Sequence, residues 1–318
     1  MKTVLCMLPL EPRHRALLEA AAPGCRFLYA MPDAAAPEQL AEANILLGAP
    51  DPKLLRAAAN LELLQLSSAG ADSYVQPGVL AEGVLLTNST GAYSQTVAEH
   101  ALAMLLTLVK KLHRYRDAQM QHRWTDLGTV GSVRGSVVLI VGLGDIGLHF
   151  AGLVKALGAY VIGIKRTEGE KPSCVDELYT TQALDALLPR ADVVFSVLPG
   201  TKQTTHLYTA DRFDRMKKSA IFLNFGRGSA VENTVLYDAL TQGKISAAGI
   251  DVCEVEPLPP DSPLWSLENL LLTPHASGGY HLPHTLDVIV DIAADNLARF
   301  LRGAPLRNIV DFKTGYRK

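Results

Sequence analysis

The run Val137-Val138-Leu139-Ile140-Val141 is wholly apolar and mostly β-branched, so it reads as a strand buried on both faces. Gly142-Leu143-Gly144-Asp145-Ile146-Gly147 follows at once, and then Ile146, Phe150, Leu153, Val154 and Leu157 recur at helical spacing. Gly158 stops that helix, and Val161-Ile162-Gly163-Ile164 starts a second strand. Glycines at these three places permit a tight turn, close backbone approach to a pyrophosphate, and close packing of helix on strand. A dinucleotide would rest its pyrophosphate on the amide dipoles of the helix that opens near Asp145. The glycine spacing alone describes a turn in any α/β sheet. With strand, turn, helix and second strand all in place, it predicts a dinucleotide site.

The chain of 318 residues is long enough for two domains, and its 48% hydrophobic content can fill two cores. Net charge is −2 with both signs mixed along the chain, so there is no basic stripe and no nucleic-acid partner is expected. No apolar stretch is long enough to span a membrane. Met1-Lys2 leads straight into a strand-like run without the pattern of a signal peptide. Cys6, Cys25, Cys174 and Cys253 are far apart, form no CxxC pair, and read as free thiols of a reducing compartment. A soluble, cytoplasmic α/β protein without a metal site is expected.

Before the fingerprint, short apolar runs alternate with helix-compatible ones. Val4 to Leu8, Phe27 to Ala30, Ile45 to Leu47, Leu63 to Leu66 and Val84 to Leu86 read as strands, and Arg13 to Ala22, Pro37 to Ala43 and Pro52 to Ala59 as helices. Such alternation implies parallel strands with crossovers, a domain in its own right. Ser67-Ser68-Ala69-Gly70-Ala71-Asp72 is a small-residue loop at a strand's carboxyl end. Thr96-Val97-Ala98-Glu99 has the capping-box pattern and opens a long helix that is apolar on almost every side. A helix of that kind is expected to be buried on more than one face, and a two-fold contact through it would make a homodimer.

After the fingerprint, strands are expected at Asp192 to Leu198, Ala220 to Asn224, Ala247 to Val252 and Leu270 to Thr273, with helices at Glu232 to Gln242 and Leu286 to Leu301. Three ionisable residues stand at ends of these strands: Arg227, Glu256 and His275. Parallel strands put all three on the sheet edge that also carries the fingerprint turn. Hydride transfer to a 2-oxo acid needs such a set. A guanidinium holds the carboxylate and polarises the ketone. An imidazole protonates the nascent alkoxide, and a carboxylate beside it keeps the ring oriented and favours its charged form. Singly, each residue could be an ordinary polar side chain at a loop.

Together with the glycine turn they make the sequence similar, over nearly its whole length, to the D-isomer-specific 2-hydroxyacid dehydrogenases. The matching blocks are Ser68 to Asp72, Thr96 to His100, Val141 to Gly147, Asn224 to Gly228, Gly249 to Val252 with Glu254 to Pro257, and Thr273 to His275. The resemblance implies two doubly wound parallel-sheet domains. A flavodoxin-like substrate domain, residues 1–95 and 286–318, would receive an inserted Rossmann nucleotide-binding domain, 96–285. It implies that Arg227 binds substrate, that His275 is the acid/base with Glu256 as its partner, and that the backbone at Ala69 and Gly70 holds the substrate carboxylate. It also implies cofactor contacts at Thr96, Gly142, Gly144, Asp145, Ile146, Gly147, Leu198, Pro199, Thr204, Phe225, Gly226, Arg227, His275, Ser277 and Gly278, with Asp251 bonding the nicotinamide carboxamide. Trp124, Tyr74, Leu8 and Pro9 stand as candidate pocket residues or as ordinary packing.

Three departures from the family pattern matter. Ser68 stands where glycine is common, and Cys253 where an aromatic residue is common. The acidic residue that ends the second strand in NAD-specific fingerprints is replaced by Lys165-Arg166-Thr167. Two cations and a hydroxyl suit a 2′-phosphate, so NADP is expected over NAD, with NAD possible. A glyoxylate- or hydroxypyruvate-type reductase is therefore expected. The alternative is a nucleotide-sensing, corepressor-like scaffold without turnover, against which the intact Arg227, Glu256 and His275 weigh. Glu256 in place of glutamine points away from formate-type oxidation, and no regulatory domain is expected after Lys318.

Overall fold

In the computed structural model, residues 1–31 and 35–313 are described, together with the backbone of 316 and 317. In chain order the elements are β1 (Thr3–Cys6), α1 (Pro12–Ala21), β2 (Arg26–Tyr29), α2 (Pro37–Glu42), β3 (Ile45–Leu47), β4 (Leu63–Gln65), β5 (Leu85–Thr87), α3 (Ser94–Val109) and α4 (Leu112–Met120). There follow β6 (Val137–Val141), α5 (Asp145–Ala156), β7 (Tyr160–Lys165), β8 (Glu177–Thr180), α6 (Leu184–Leu187), β9 (Val193–Ser196), α7 (Ala210–Arg215) and β10 (Ile221–Asn224). The chain continues through α8 (Asn233–Thr241), β11 (Ala247–Ile250), β12 (Leu270–Leu272) and α9 (Pro283–Leu301), and a short antiparallel pair, Val310–Asp311 with Tyr316–Arg317, ends it. The chain divides into two compact units, Met1–Tyr93 with Gly279–Lys318, and Ser94–Gly278.

In the first unit five parallel strands lie in the order β2-β1-β3-β4-β5. Strand alternation sends Val4, Cys6, Ile45 and Leu47 to one face, where they pack with Leu18 of α1 and Ile289, Val290, Ala293 and Leu297 of α9. Leu5, Leu46 and Leu64 go to the other face, against Leu40 of α2 and Leu55. Burying a side chain of this size stabilises the fold by roughly 1.5–3 kcal/mol each, and the near-continuous apolar strands leave no solvent face. Leu8 and Tyr74 belong to these cores, and Tyr74 donates its hydroxyl to Pro50 O at 2.7 Å.

In the second unit seven parallel strands run β12-β11-β10-β9-β6-β7-β8. The order reverses between β6 and β9, the place where such sheets open a crevice at their carboxyl edge. Both sheets are the doubly wound α/β architecture expected.

Local differences have physical causes. The helix expected to open at Thr96 begins at Ser94, whose hydroxyl donates to the Asp145 carboxylate. Thr96 therefore lies inside the first turn, and Glu99 accepts a bond from Gln95 at 2.9 Å instead of closing a capping box. Lys111, at φ 56, breaks the long helix into α3 and α4. Ser94, Val97, Ala98, Ala101, Met104, Leu105 and Leu108 of α3 are buried. They form one stripe, so within this chain the helix buries a single face, and Gln95, Glu99 and Ala103 are exposed opposite. Residues 52–57 form a 3₁₀ helix, a tight turn capped by Asp51 accepting from Lys53 N. The unit edges fall at 93/94 and 278/279, whereas the sequence placed boundaries at 95/96 and 285/286. Residues 279–285 join the first unit because α9, which they lead into, packs there.

Candidate active site

At the switch point Gly142 has φ +106 and lies against β9's exit, so that a Cβ would sit 2.6 Å from Val197 O. Gly147 presses on the carbonyl of Gly142, and any side chain there would lift α5 off the turn. Gly144 faces open space. The helical ladder of α5 starts with Leu148 N donating to Gly144 O at 2.9 Å. The N–H groups of Asp145, Ile146 and Gly147 precede it and meet no acceptor among the described residues. An open glycine beside unpaired amides and a helix N-terminus fits the pyrophosphate of a dinucleotide. The N–H groups of Gly142 and Leu143 both donate to Ile164 O, at 3.0 and 2.9 Å. That pair of bonds pins the end of β7 beside the cradle, so Lys165 ends the strand there and Arg166 and Thr167 follow it, both exposed.

The neighbouring strands complete a rim. Leu198 and Pro199 follow β9, and Thr204 folds back over them, donating to Pro199 O at 2.6 Å and accepting from Thr201 N at 2.9 Å. Phe225 and Gly226 follow β10, with the Phe225 ring 5.9 Å from that of His100 and 5.8 Å from Phe195. Thr96 donates to Ser277 O at 3.0 Å, tying the start of α3 to the loop after β12. Gly278 ends this unit.

Arg227, Glu256 and His275 stand on the loops after β10, β11 and β12, on the same edge. Asn224, buried at the end of β10, accepts from Gly226 N at 3.3 Å and donates to Arg227 O at 3.0 Å, which shapes the turn that presents the guanidinium. Arg227 Nη1 donates to Gly226 O at 2.9 Å. His275 Nδ1 is 2.8 Å from Glu256 Oε2, and Glu256 Oε1 accepts from Cys253 N at 2.9 Å. Among the described residues Nε2 of His275 has no hydrogen-bond partner. His275 itself is held at φ 53 by its N–H donating to Asp251 O at 2.7 Å.

Asp251, 1% exposed, uses both carboxylate oxygens on this loop: Oδ1 accepts from Thr273 and Ala276 N, Oδ2 from the hydroxyl and N–H of Ser277. A carboxylate so buried needs these donors, since desolvation penalises an unpaired charge. Burial pushes the Cys253 thiol up to about 11, with the neighbouring Glu256 and Asp251 charges acting in the same direction. The thiol is a packed group, buried among the apolar side chains of this unit.

In the other unit, the loop after β4 has its carbonyls taken. Tyr93 donates to Ser67 O at 2.6 Å, Ser89 N to Ser68 O at 2.9 Å, Asn88 to Ala69 O at 2.7 Å, and the Ser68 hydroxyl to Gly70 O at 2.7 Å. The N–H groups of Ala69 and Gly70 meet no acceptor among the described residues. Of the candidate pocket residues, Leu8 and Tyr74 are core, and Trp124 is fully exposed.

Sequence reasoning missed Asn224 and Asn88, which shape the Arg227 turn and the Ala69 loop. A polar residue closing an apolar strand was the available signal for the first; nothing local marks the second. Among the described residues no three His, Cys, Asp or Glu side chains converge as metal ligands.

Known proteins resemble this chain over most of its length. A family model described as D-isomer specific 2-hydroxyacid dehydrogenase, NAD binding domain, matches residues 102–277. A glyoxylate reductase of Korarchaeum cryptofilum (strain OPF8) is 33% identical over 269 residues, 82% of this chain and 79% of that protein. The crystal structure of a D-isomer specific 2-hydroxyacid dehydrogenase family protein from Aeromonas salmonicida subsp. salmonicida A449 is similar with a TM-score of 0.87 and 36% identity, over 98% of this chain and 99% of that one. Another, from Xanthobacter autotrophicus Py2 in complex with NADPH and MES, gives a TM-score of 0.82 and 30% identity over 99% of each chain.

Proposed function

The chain belongs to the D-isomer-specific 2-hydroxyacid dehydrogenases, NAD(P)-dependent oxidoreductases, and from that membership we propose that it reduces small 2-oxo acids of the glyoxylate and hydroxypyruvate kind with NADPH. The observation that carries the reading is the Glu256–His275 pair, 2.8 Å apart, with the second ring nitrogen left for a substrate oxygen. A reduced nicotinamide held at this cradle would supply the hydride that reduces the keto carbon. His275 Nε2 gives the proton that turns the resulting alkoxide into the 2-hydroxyl, while Glu256 holds Nδ1 and fixes the ring. Arg227 binds the substrate and polarises its ketone. The N–H groups of Ala69 and Gly70 are assigned to the substrate carboxylate.

Lys165, Arg166 and Thr167 are assigned to the 2′-phosphate, since no acidic residue occupies their place beside the cradle. The NADPH held by the Xanthobacter relative supports this choice. We also propose a homodimer. The exposed line of α3 is polar or small, so the apolar surface for it would come from Leu112, Met120, Trp124 and Val130, all exposed on α4 and the segment after it. Among the described residues no helix is long and apolar enough to cross a membrane. Its four free cysteines fit a reducing compartment, and we place the enzyme in the cytoplasm.

Nicotinamide absorbance, followed over a panel of 2-oxo acids with NADPH and NADH, tests the reading. Turnover of glyoxylate or hydroxypyruvate with NADPH, at higher kcat/KM than with NADH, is expected. No turnover of any 2-oxo acid with either nucleotide would overturn it.

A further inference from the structure

Glu256 sits on a segment that packs against Gly228 but has no backbone hydrogen bonds of its own. None of the N–H groups from Val252 to Glu256 enters a backbone–backbone hydrogen bond among the described residues, because β11 has ended at Ile250 and no regular element follows until the turn at Pro263. Side chains hold it instead. Glu254 Oε2 accepts from Asn233 N at 3.1 Å, Glu254 N donates to Asn233 Oδ1 at 3.4 Å, and Glu254 Oε1 lies 3.0 Å from His206 Nε2. The other ring nitrogen of His206 lies 3.0 Å from Glu232 Oε1. His206 N also donates to Ser229 O at 2.7 Å. One imidazole thus joins the loop after β9, the turn that follows Arg227, and the segment that carries Glu256. His206 holds a φ of 49, a left-handed conformation that few side chains adopt without cost.

We propose that His206 is a positioning residue for the reaction: by bridging Glu232 and Glu254 it fixes the segment that presents Glu256 to His275. The inference rests on the reading of His275 and Glu256 as the acid/base pair. The three side chains are 44%, 43% and 30% exposed, so the bridge contributes little to global stability. Its effect lies in where the Glu256 carboxylate stands relative to the imidazole, two residues beyond the anchor. A displacement far smaller than unfolding is enough to weaken proton transfer.

His206→Asn tests this, since asparagine tolerates the left-handed backbone but is too short to reach both carboxylates. Glu254→Ala is the second variant, removing the bridge from the other side. Each is expected to lower kcat about threefold to tenfold, the scale of one or two lost hydrogen bonds, with the oxo-acid KM moved by less than about twofold. In a Glu256→Ala background neither should cost anything further, because the group it positions is already gone. Amide hydrogen exchange of Cys253 and Glu254, the N–H groups of this segment that side chains hold, should quicken in both variants, while the melting temperature stays within a few degrees. Unchanged exchange in that segment, or equal losses of kcat with and without Glu256, would overturn the proposal. A wild-type protein that reduces no 2-oxo acid would sink the functional reading instead, and the exchange measurement would still decide whether the bridge holds the segment.

Discussion

The loop after β4 and the loop after β12 stand at the same kind of place, the carboxyl end of a parallel strand, and are built in opposite ways. In residues 67–70 every carbonyl is occupied, by Tyr93, Ser89, Asn88 and Ser68, and the N–H groups of Ala69 and Gly70 are left over. In residues 275–277 every N–H is occupied by Asp251, through its carbonyl and both carboxylate oxygens, and Nε2 of His275 is left over. A loop stripped of acceptors presents only donors, which suits an anion that must be held and not altered. A loop whose backbone is saturated becomes a rigid mount for one titrating side chain, which suits a proton that must move. One architecture therefore makes two kinds of site, by choosing which half of each peptide group is satisfied internally.

That contrast is broken most directly at His275. General acid–base catalysis contributes roughly 10²–10⁴-fold, so His275→Ala is expected to lose at least the lower figure in kcat/KM while its melting temperature holds. Near-normal turnover at neutral pH would mean the mount carries no acid. The proposed nucleotide site sharpens the contrast, because it would use both designs: backbone amides of Asp145 to Gly147 for the pyrophosphate, side chains of Lys165 and Arg166 for the 2′-phosphate. Only the second discriminates between nucleotides. Arg166→Ala should cut kcat/KM for NADPH about tenfold to a hundredfold, the worth of one charge-assisted phosphate contact, and barely change NADH. Equal losses with the two nucleotides would assign Arg166 to the shared part of the cofactor.

Glu256→Gln is expected to act more mildly than His275→Ala. The amide can still bond His275 Nδ1 but carries no charge to stabilise the imidazolium, and a bond to an ionised partner is about twice as strong as a neutral one. A kcat loss of about tenfold is expected, measured beside wild type with saturating nucleotide and oxo acid. A loss as large as that of His275→Ala would show that charge, and not orientation, is what the carboxylate supplies.

How much of this was legible beforehand follows from the range of the interactions involved. The fingerprint, the alternating strands and the Arg227, Glu256 and His275 blocks are local patterns, and runs such as Ile45 to Leu47 and Leu63 to Leu66 mark buried parallel strands within a few residues of the true ends. The strand β8 escaped because Glu177-Leu178-Tyr179-Thr180 is an edge strand, paired on one side only, and half polar. The short helices α6 and α7 are too brief for periodicity to show. At Ser94 a tertiary bond to Asp145 moved the helix start past a well-formed capping pattern. The side-chain ties that shape the site, Asn88 to Ala69 and His206 to Glu232 and Glu254, join residues 19 to 48 positions apart and leave no mark on any short window.

The smallest effect expected is at Asn88, and it tests the donor-only loop without touching a substrate-binding group. Asn88 is buried, donates Nδ2–H to Ala69 O at 2.7 Å, and accepts from Thr90 N–H and hydroxyl at 3.2 and 2.8 Å. Asn88→Ala leaves the Ala69 carbonyl without its donor, so the peptide plane between Ala69 and Gly70 is no longer held. Rotation of that plane to solvate the carbonyl carries the Gly70 N–H with it, because the two groups share one rigid peptide unit. The binding of a carboxylate should weaken by about the worth of a neutral hydrogen bond, a twofold to tenfold rise in KM for the oxo acid. The proposed proton donor, His275, stands on the other loop, so kcat should stay within about twofold of wild type, which is the signature of lost uniform binding. Steady-state kinetics with glyoxylate or hydroxypyruvate and saturating NADPH separates the two constants. A fall in kcat at unchanged KM would place the role of this loop in the chemical step and erase the division between holding and proton transfer.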